Sequence, residues 1–359
     1  MELKPDNLPF YAKLSLISIG MLALCTMLYL SRLILIPLIY ATLLAILLSP
    51  VVDLFVRKKM NRTFAISITV SLTILISIAL LLLLSSQLIQ FTDSLPKLIN
   101  NFHTLLDQAV AWISDQFNIR TSKINLWITE KNTEIIKNTG SKIGQTLLNT
   151  GSILVVLLLI PVYIFMILFY QPQIIEFIHR LFKSDNQNNV KSVITATKSV
   201  VQSYLIGLLL ESAIVAVMNC TALLLLGIDY AILLGIIGAL LNFIPYLGGI
   251  IAVTLPMLIA LASNSPANAL LVLVAYLFIQ LIDNNYIIPK VVASKVQING
   301  LVTVVAVLAG GAIGGIPGMF LSIPLTAILK VIFDHVEGLK PWGYLLGDVV
   351  DPKAKQRRN

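Results

Sequence analysis

Two apolar segments near the carboxyl-terminal end of the chain are each interrupted at the middle by glycine and proline. The first covers residues 233–262 with its break at 242–249, and the second covers residues 301–330 with its break at 310–318. Each arm holds about a dozen apolar residues, whereas a helix that crosses a bilayer needs about 20. Unwound backbone at membrane depth is tolerated only when it is buried in protein or lines a cavity. Two such interruptions in one chain are typical of a transporter's substrate site.

Glycine and proline are the residues that we expect to open the backbone at these two breaks. Overlapping glycine pairs are also typical of closely packed membrane helices, so packing alone explains part of the second set. A proline within that set favours an interrupted helix, because proline cannot donate a helical hydrogen bond. The break residues are Pro245, Gly248 and Gly249 in the first segment, and Gly310, Gly311, Gly314, Gly315, Pro317 and Gly318 in the second.

The composition is that of an integral membrane protein. Hydrophobic residues make up 57% of the 359 residues and charged residues 12%, against about 25% charged in soluble domains. The hydropathy pattern predicts an all-α polytopic membrane protein with about six full transmembrane helices, two opposed broken or re-entrant hairpins and an extracytoplasmic helical insert. The six full spans are predicted at residues 14–30, 33–52, 64–89, 153–170, 205–226 and 270–282.

Changes in polarity along the chain predict five regions. The region after the third span is polar with apolar residues at helical spacing, which favours an amphipathic helical hairpin outside the bilayer. The region before the fifth span is also polar and favours a helix on the cytoplasmic interface. The five regions are residues 1–89 with the first three spans, 90–150 with the external hairpin, 151–204 with the fourth span and the interfacial helix, 205–333 with the transport region and both broken hairpins, and 334–359 with a cytoplasmic basic tail.

The distribution of positive charge predicts the orientation of the chain. With both termini in the cytoplasm, most of the 25 Lys and Arg residues fall in cytoplasmic loops, as the positive-inside rule expects. The net charge of +8 therefore reflects membrane topology rather than a surface that binds nucleic acid. The first broken segment then enters from outside and the second from inside, with their tips near the bilayer midplane. The alternative, in which each segment is one kinked span, places Lys290 and Lys295 outside.

Six polar residues inside or beside the apolar segments are candidates for contact with a solute or an ion. An ionised carboxylate within a span costs about 2.5–3.5 kcal/mol on insertion scales, so Glu211 is expected to face protein or water. Its alternative position is near the membrane surface, paired with Lys198 or Lys191. Asparagines at a helix end also serve as ordinary caps. The other five candidates are Asn242 at the first break, and Gln280, Asp283, Asn284 and Asn285 at the end of an apolar helix.

The sequence contains no pattern that indicates an enzyme, a cofactor or a metal site. His103, His179 and His335 are isolated from one another and lie outside the predicted spans. Cys25 and Cys220 lie in separate apolar stretches, and neither a disulfide nor a metal site is indicated. The chain also lacks a phosphate-binding loop motif and a nucleophile placed beside a base.

Three motifs resemble the signatures of one bacterial family. Starting at residues 242, 280 and 310, they read NFIPYLGG, QLIDNNYIIPK and GGAIGGIPGMFLSIPLTA. In that order, and with these spans around them, they are similar to the autoinducer-2 exporter family of bacterial membrane proteins. The resemblance implies an inner-membrane homo-oligomer, pentameric where described. It also implies export of the quorum-sensing signal autoinducer-2 or, in some members, exchange of Na⁺ or Li⁺ for protons.

The expected function is secondary transport, with export of a small polar solute such as an autoinducer-2-like signal by alternating access of the two hairpins. The bilayer, the solute and further copies of the chain are the expected partners. Two alternatives stay open. In Na⁺(Li⁺)/H⁺ antiport, Glu211 and Asp283 form the titrating pair. In a structural or assembly role the hairpins serve only as packing elements, so Gly311→Leu disrupts the oligomer while Asp283→Asn has no effect.

The charge distribution makes a direct prediction about topology. In a variant without Cys25 and Cys220, single cysteines placed at Asn118 and Ser294 should react with an impermeant thiol reagent from opposite sides of the membrane. The cysteine at Asn118 should react in intact cells, and the one at Ser294 only after the cells are opened. Reaction of both in intact cells would contradict the orientation.

Overall fold

The computed structural model describes residues 9–117, 150–182, 187–244, 247–263, 265–293 and 298–348. These residues form helices and no strand, which confirms the all-α class. Two π-helical turns, Asp283–Ile287 and Pro289–Ala293, follow the eighth helix. The α-helices of the described residues are α1 Phe10–Leu30, α2 Arg32–Arg57, α3 Arg62–Phe117, α4 Thr150–Leu181, α5 Gln187–Leu225, α6 Ala231–Leu241, α7 Leu247–Ser263, α8 Pro266–Ile282, α9 Gly300–His335 and α10 Lys340–Leu346.

The membrane spans agree with the predicted arrangement. Seven helical segments of the described residues are long and apolar enough to cross a membrane, and α6 and α7 are shorter apolar helices. Six of the seven correspond to the six predicted full spans. The seventh is α9, which contains the second broken segment. The polytopic membrane fold is therefore confirmed.

Helix α9 is in fact a hairpin of two arms. Gly315 adopts φ 62° and ψ −146°, which breaks the helix at that residue. In a straight helix two residues eight positions apart are separated by about 12 Å along the axis. Here the backbones of Gly310 and Gly318 touch, and a Cβ on either would collide with the other's carbonyl group. The chain therefore folds back on itself, as predicted from the glycines.

The first broken segment is also a hairpin, formed by α6 and α7. Gly248, at the start of α7, lies so close to the carbonyl group of Leu241 that a side chain would collide with it. Further along the two arms, a Cβ on Gly238 would lie 3.5 Å from the Cβ of Ala252. Pro245, which we expected in this turn, lies outside the described residues.

The two hairpins enter from opposite sides. We call the side where α2 ends and α3 begins the near side, and the other the far side. The base of the α6–α7 hairpin is held to the far part of α3, where Tyr230 Oη donates to Ser94 Oγ at 2.6 Å and Asn101 Nδ2 donates to the carbonyl of Ala262 at 2.9 Å. The base of the α9 hairpin lies on the near side, because His335 lines a cavity there together with Ser49 of α2.

Aromatic side chains connect the two hairpins near their tips. The ring of Phe243, just after α6, lies 5.5 Å from that of Phe320, five residues beyond the break of α9. Phe320 also stacks on Tyr40 of α2 at 5.5 Å. The hydroxyl of Tyr40 donates to the carbonyl of Pro317 at 3.1 Å. The first hairpin therefore ends against the second, with α2 behind both.

Two polar regions differ in detail from the sequence prediction. Helix α3 continues without interruption for 56 residues, about 84 Å, so the third span and the first arm of the predicted external hairpin are one helix. The second arm of that hairpin lies outside the described residues. The predicted interfacial helix is likewise the first part of α5, which runs for 39 residues. Neither glycine nor proline occurs between residues 187 and 206 to separate it from the fifth span.

The contact between Gly310 and Gly318 predicts a local requirement for glycine. Gly310→Ala should destabilise the protein by about 1–3 kcal/mol, because the added methyl group meets backbone that cannot move aside without opening the hairpin. Thermal unfolding in detergent measures the loss. Gly20→Ala in α1 is the matched control, since nothing lies within 4 Å of a Cβ there. Equal unfolding temperatures for the two variants would contradict the close contact.

Candidate functional site

A cavity of about 810 Å³ lies between α5, both hairpins and α8 with its π-helical extension. Such a volume is typical of sites for small molecules. Its wall is mostly apolar. The polar residues that line it are Tyr204, Glu211, Asn242, Thr254, Gln280, Asn284 and Thr303.

A buried carboxylate lies at the tip of the first hairpin. Asp283, where α8 widens into the π-helical turn, is completely buried. Asn242 Nδ2 donates to Asp283 Oδ2 at 2.7 Å, and Asp283 Oδ1 has no hydrogen-bond partner among the residues that the structure describes. A buried polar oxygen without a partner is costly and therefore needs an explanation. Single π-helical turns occur frequently at functional sites.

Glu211 is the second buried carboxylate, and it lines the cavity directly. Its residue is only 4% exposed, and none of the ion pairs in the described part of the chain involves it. The alternative pairing with Lys198 or Lys191 is therefore not formed. The π-helical turn that begins at Asp283 packs against α5, the helix that carries Glu211. Two carboxylates in a confined space favour a neutral or positively charged occupant, because like charges repel strongly in a low dielectric.

The amides at the end of α8 divide between the cavity and the outside. Gln280 Nε2 donates to Asn284 Oδ1 at 3.3 Å, and both residues line the cavity. Gly249 makes room for Gln280, since a Cβ on Gly249 would lie 3.3 Å from Gln280 Oε1. Asn285, which is exposed like Asn284, donates to the carbonyl of Leu281 at 2.8 Å and does not belong to the cavity wall. The structure therefore does not bring Asn285 to the cavity.

Most of the predicted break residues shape the hairpins rather than line the cavity. Of those described, only Gly249 belongs to the cavity wall. Gly311 lies against Met319, and Gly314 lies against Ile36 of α2. The glycines of the second break thus allow close packing, as the alternative interpretation of their spacing proposed.

Comparison with known proteins assigns the chain to a family. Residues 17–338 match the family described as AI-2E family transporter. The chain belongs to this family. The AI-2 transport protein TqsA of Escherichia coli is 28% identical over 339 residues, covering 93% of this chain and 95% of TqsA. YueF of Bacillus subtilis, named provisionally as a transport protein, is 25% identical over 309 residues, covering 84% of this chain and 83% of YueF.

The protein is thus a multi-pass membrane transporter and not an enzyme. A relative from Haemophilus influenzae, also named provisionally as a transport protein, is 28% identical over 330 residues and covers 89% of this chain and 92% of its own length. Within the described residues, no three His, Cys, Asp or Glu side chains are grouped so that they could hold a metal ion.

Sequence reasoning missed two buried polar residues about two helical turns from the carboxylates. Asn219 is 2% exposed and Tyr276 is 3% exposed, and Asn219 Oδ1 and the hydroxyl of Tyr276 have no partner. Both side chains lie within 4 Å of the position that a Cβ would occupy on Gly238. The available signal was the spacing on α5, since Asn219 follows Glu211 by eight residues and so lies on the same face.

A second cavity of about 850 Å³ lies on the near side between α4 and α5. It is slightly larger, but its wall is formed mainly by isoleucine and valine, and neither Glu211 nor Asp283 reaches it. The cavity of about 810 Å³, which we call the central cavity, is the better candidate for the functional site. Glu211, the amides at the end of α8 and both hairpins line it. Of its residues, Glu211, Asn242, Gln280 and Asn284 were candidates from the sequence.

The bond between Asn242 and Asp283 predicts energetic coupling between the first hairpin and α8. In a double-mutant cycle with Asn242→Ala and Asp283→Ala, the coupling free energy should be about 0.6–2 kcal/mol, the range for hydrogen bonds between membrane helices. Unfolding of the purified protein in detergent measures it. A cycle that combines Asn285→Ala with Asn242→Ala is the control and should give no coupling. Additive effects of the first pair would contradict the bond.

Proposed function

We propose that the protein is a secondary transporter that exports a small polar solute of the autoinducer-2 type, bound in the central cavity. The observation that carries this proposal is that both hairpins, which enter from opposite sides, contribute to the wall of the same cavity. Asn242 and Gly249 belong to the first hairpin, and Thr303 and Ile323 belong to the second. A site at the meeting point of two opposed hairpins is the arrangement that alternating access requires.

The side chains of the cavity fit a neutral solute with several hydroxyl groups. Glu211 supplies acceptor oxygens, Asn242 Oδ1 is a further acceptor, and Asn284 Nδ2 is a donor. A hydroxyl group can both donate and accept, so it can satisfy either kind of partner. An anionic solute is disfavoured because Glu211 lines the cavity and none of the ion pairs among the described residues supplies it with a cation. The name of TqsA, an AI-2 transport protein, agrees with a small polar solute.

Alternating access follows if each hairpin closes one side of the cavity. The ring of Phe243 lies against that of Phe320, so movement of one hairpin changes the packing of the other. Helix α1 has no buried residue, which leaves its surface for lipid or for other copies of the chain. We propose a homo-oligomer in the bacterial inner membrane with both termini in the cytoplasm, as the charge distribution favours.

A second candidate function is Na⁺(Li⁺)/H⁺ antiport. It is favoured by Glu211 and Asp283, which are buried without an ion-pair partner among the described residues. Buried carboxylates within membrane segments commonly belong to proton or cation pathways. Asp283 Oδ1, which lacks a hydrogen-bond partner, is free to take a proton or to bind a cation.

Flux into proteoliposomes tests the proposal. Replacing Gln280 and Asn284 together with Ala should lower the flux of an autoinducer-2-type solute at least tenfold, because the solute loses its amide contacts while the fold is retained. Asn285→Ala is the matched control, since this side chain points away from the cavity. The oligomer size of each variant is measured by light scattering. Normal flux in the double variant would overturn the site.

The same vesicles separate the alternatives. Glu211→Gln should abolish exchange of Na⁺ or Li⁺ for protons if antiport is the function, while solute export without an ion gradient identifies a uniporter. If the unmodified protein moves neither solutes nor ions and Gly311→Leu disrupts the oligomer, the protein has a structural role and the transport proposal fails.

A further inference from the structure

The face of α8 that lines the cavity changes from apolar to polar along its length. Leu273, Leu277, Gln280 and Asn284 all belong to the cavity wall. Their spacing of four, three and four residues places them in one stripe along the helix. The two leucines lie toward the start of α8, which is on the far side, and the two amides lie at its end. The stripe is about 16 Å long, at 1.5 Å per residue.

Helix α7 repeats this division on the opposite wall. It runs antiparallel to α8, and its first residues are at the polar end, where Gly249 lies beside Gln280. Val253 and Met257 follow on the cavity side and therefore face the leucines. Thr254 also lines this part, but its hydroxyl already donates to the carbonyl of Ile250 at 2.8 Å. The far half of the cavity is therefore mainly apolar, and Thr254, its one polar side chain from these two helices, has already used its proton.

The apolar half is open toward the bilayer. Ile250 is 67% exposed and Leu277 is 59% exposed, and both line the cavity. These residues lie on apolar helices at membrane depth, so their exposed sides meet lipid chains or another copy of the chain rather than bulk water. A small sugar-like solute bound at the amides would leave this half of the cavity unused.

We propose that the transported solute is amphipathic, with a hydroxylated head at the polar centre and an alkyl tail along α7 and α8. The head is placed between Glu211, Asn242 and Asn284. The tail lies between Val253 and Met257 on one side and Leu273 and Leu277 on the other. This inference rests on the proposed transport function and narrows its substrate class from a polar solute to one with an apolar chain.

The contribution of the tail to binding affinity can be measured. Each methylene group moved from water into an apolar site changes affinity by about fourfold, the factor that corresponds to about 0.8 kcal/mol. Affinity should therefore rise stepwise with chain length and level off when the apolar half is full. A site for purely polar solutes would show no such dependence on chain length.

The test is competition by vicinal alkanediols, from propanediol to octanediol, against flux of an autoinducer-2-type solute in proteoliposomes. For the unmodified protein, the concentration of diol that halves the flux should fall about fourfold per added methylene. Leu277→Asn should flatten this series. Leu271→Asn is the matched control, because Leu271 is an exposed leucine on α8 that does not line the cavity. It should retain the full series, which also accounts for partition of the diols into lipid.

The outcomes distinguish this inference from the function on which it rests. If all diols inhibit flux equally, the protein is still a transporter, but the inference that its substrate is amphipathic is overturned. An identical series in the Leu277→Asn and Leu271→Asn proteins also overturns it, because the gain then comes from lipid partition alone. Absence of any flux contradicts the proposed function itself. In that case direct binding of octanediol, measured in detergent for the Leu277→Asn and unmodified proteins, decides whether the apolar half takes an alkyl chain.

Discussion

A backbone that turns back within a bilayer must satisfy or bury its own polar groups, since no water is present to do so. This constraint explains most of the structure around the cavity. At the second break the arms touch through Gly310 and Gly318, where a side chain would keep them apart. At the first break Gly248 likewise lets the backbone approach the carbonyl group of Leu241. The cavity exists because two such turns are brought together and covered by α5 and α8.

The two buried carboxylates, of which only Glu211 lines the cavity, follow from the same constraint. A buried Asp283 is tolerated because Asn242 at the end of α6 donates to it, which also ties the hairpin to α8. Burial of a second carboxylate, Glu211, adds a requirement for a partner that the described residues do not supply. Buried polar groups that lack a hydrogen-bond partner are rare in a purely structural core and are common where a ligand supplies the missing partner. Within the proposed function, stability and solute binding are therefore linked at this point of the fold.

The sequence allowed the hairpins and spans to be predicted, because glycine, proline and hydropathy act locally. It also identified Glu211, Gln280 and Asn284, since polar residues in apolar helices are conspicuous. It could not show that Asn284 lines the cavity while Asn285 faces outward, because that depends on the width of a π-helical turn. Nor could it pair Asn242 with Asp283, which are 41 residues apart. The continuity of α3 was missed because polarity changes near residue 90 while the helix does not.

Helix α3 has one further consequence. Its two hydrogen bonds to the base of the first hairpin, at Ser94 and Asn101, lie on either side of Pro96, the one proline within this helix. Proline removes a helical hydrogen bond and so marks the place where a long helix bends most easily. The base of the first hairpin, whose movement is proposed to open the cavity, is therefore bonded to α3 on both sides of this bending point. Within the proposed mechanism, displacement of the hairpin base is coupled to bending of α3 at Pro96, because hydrogen bonds join the base to α3 on both sides of that proline.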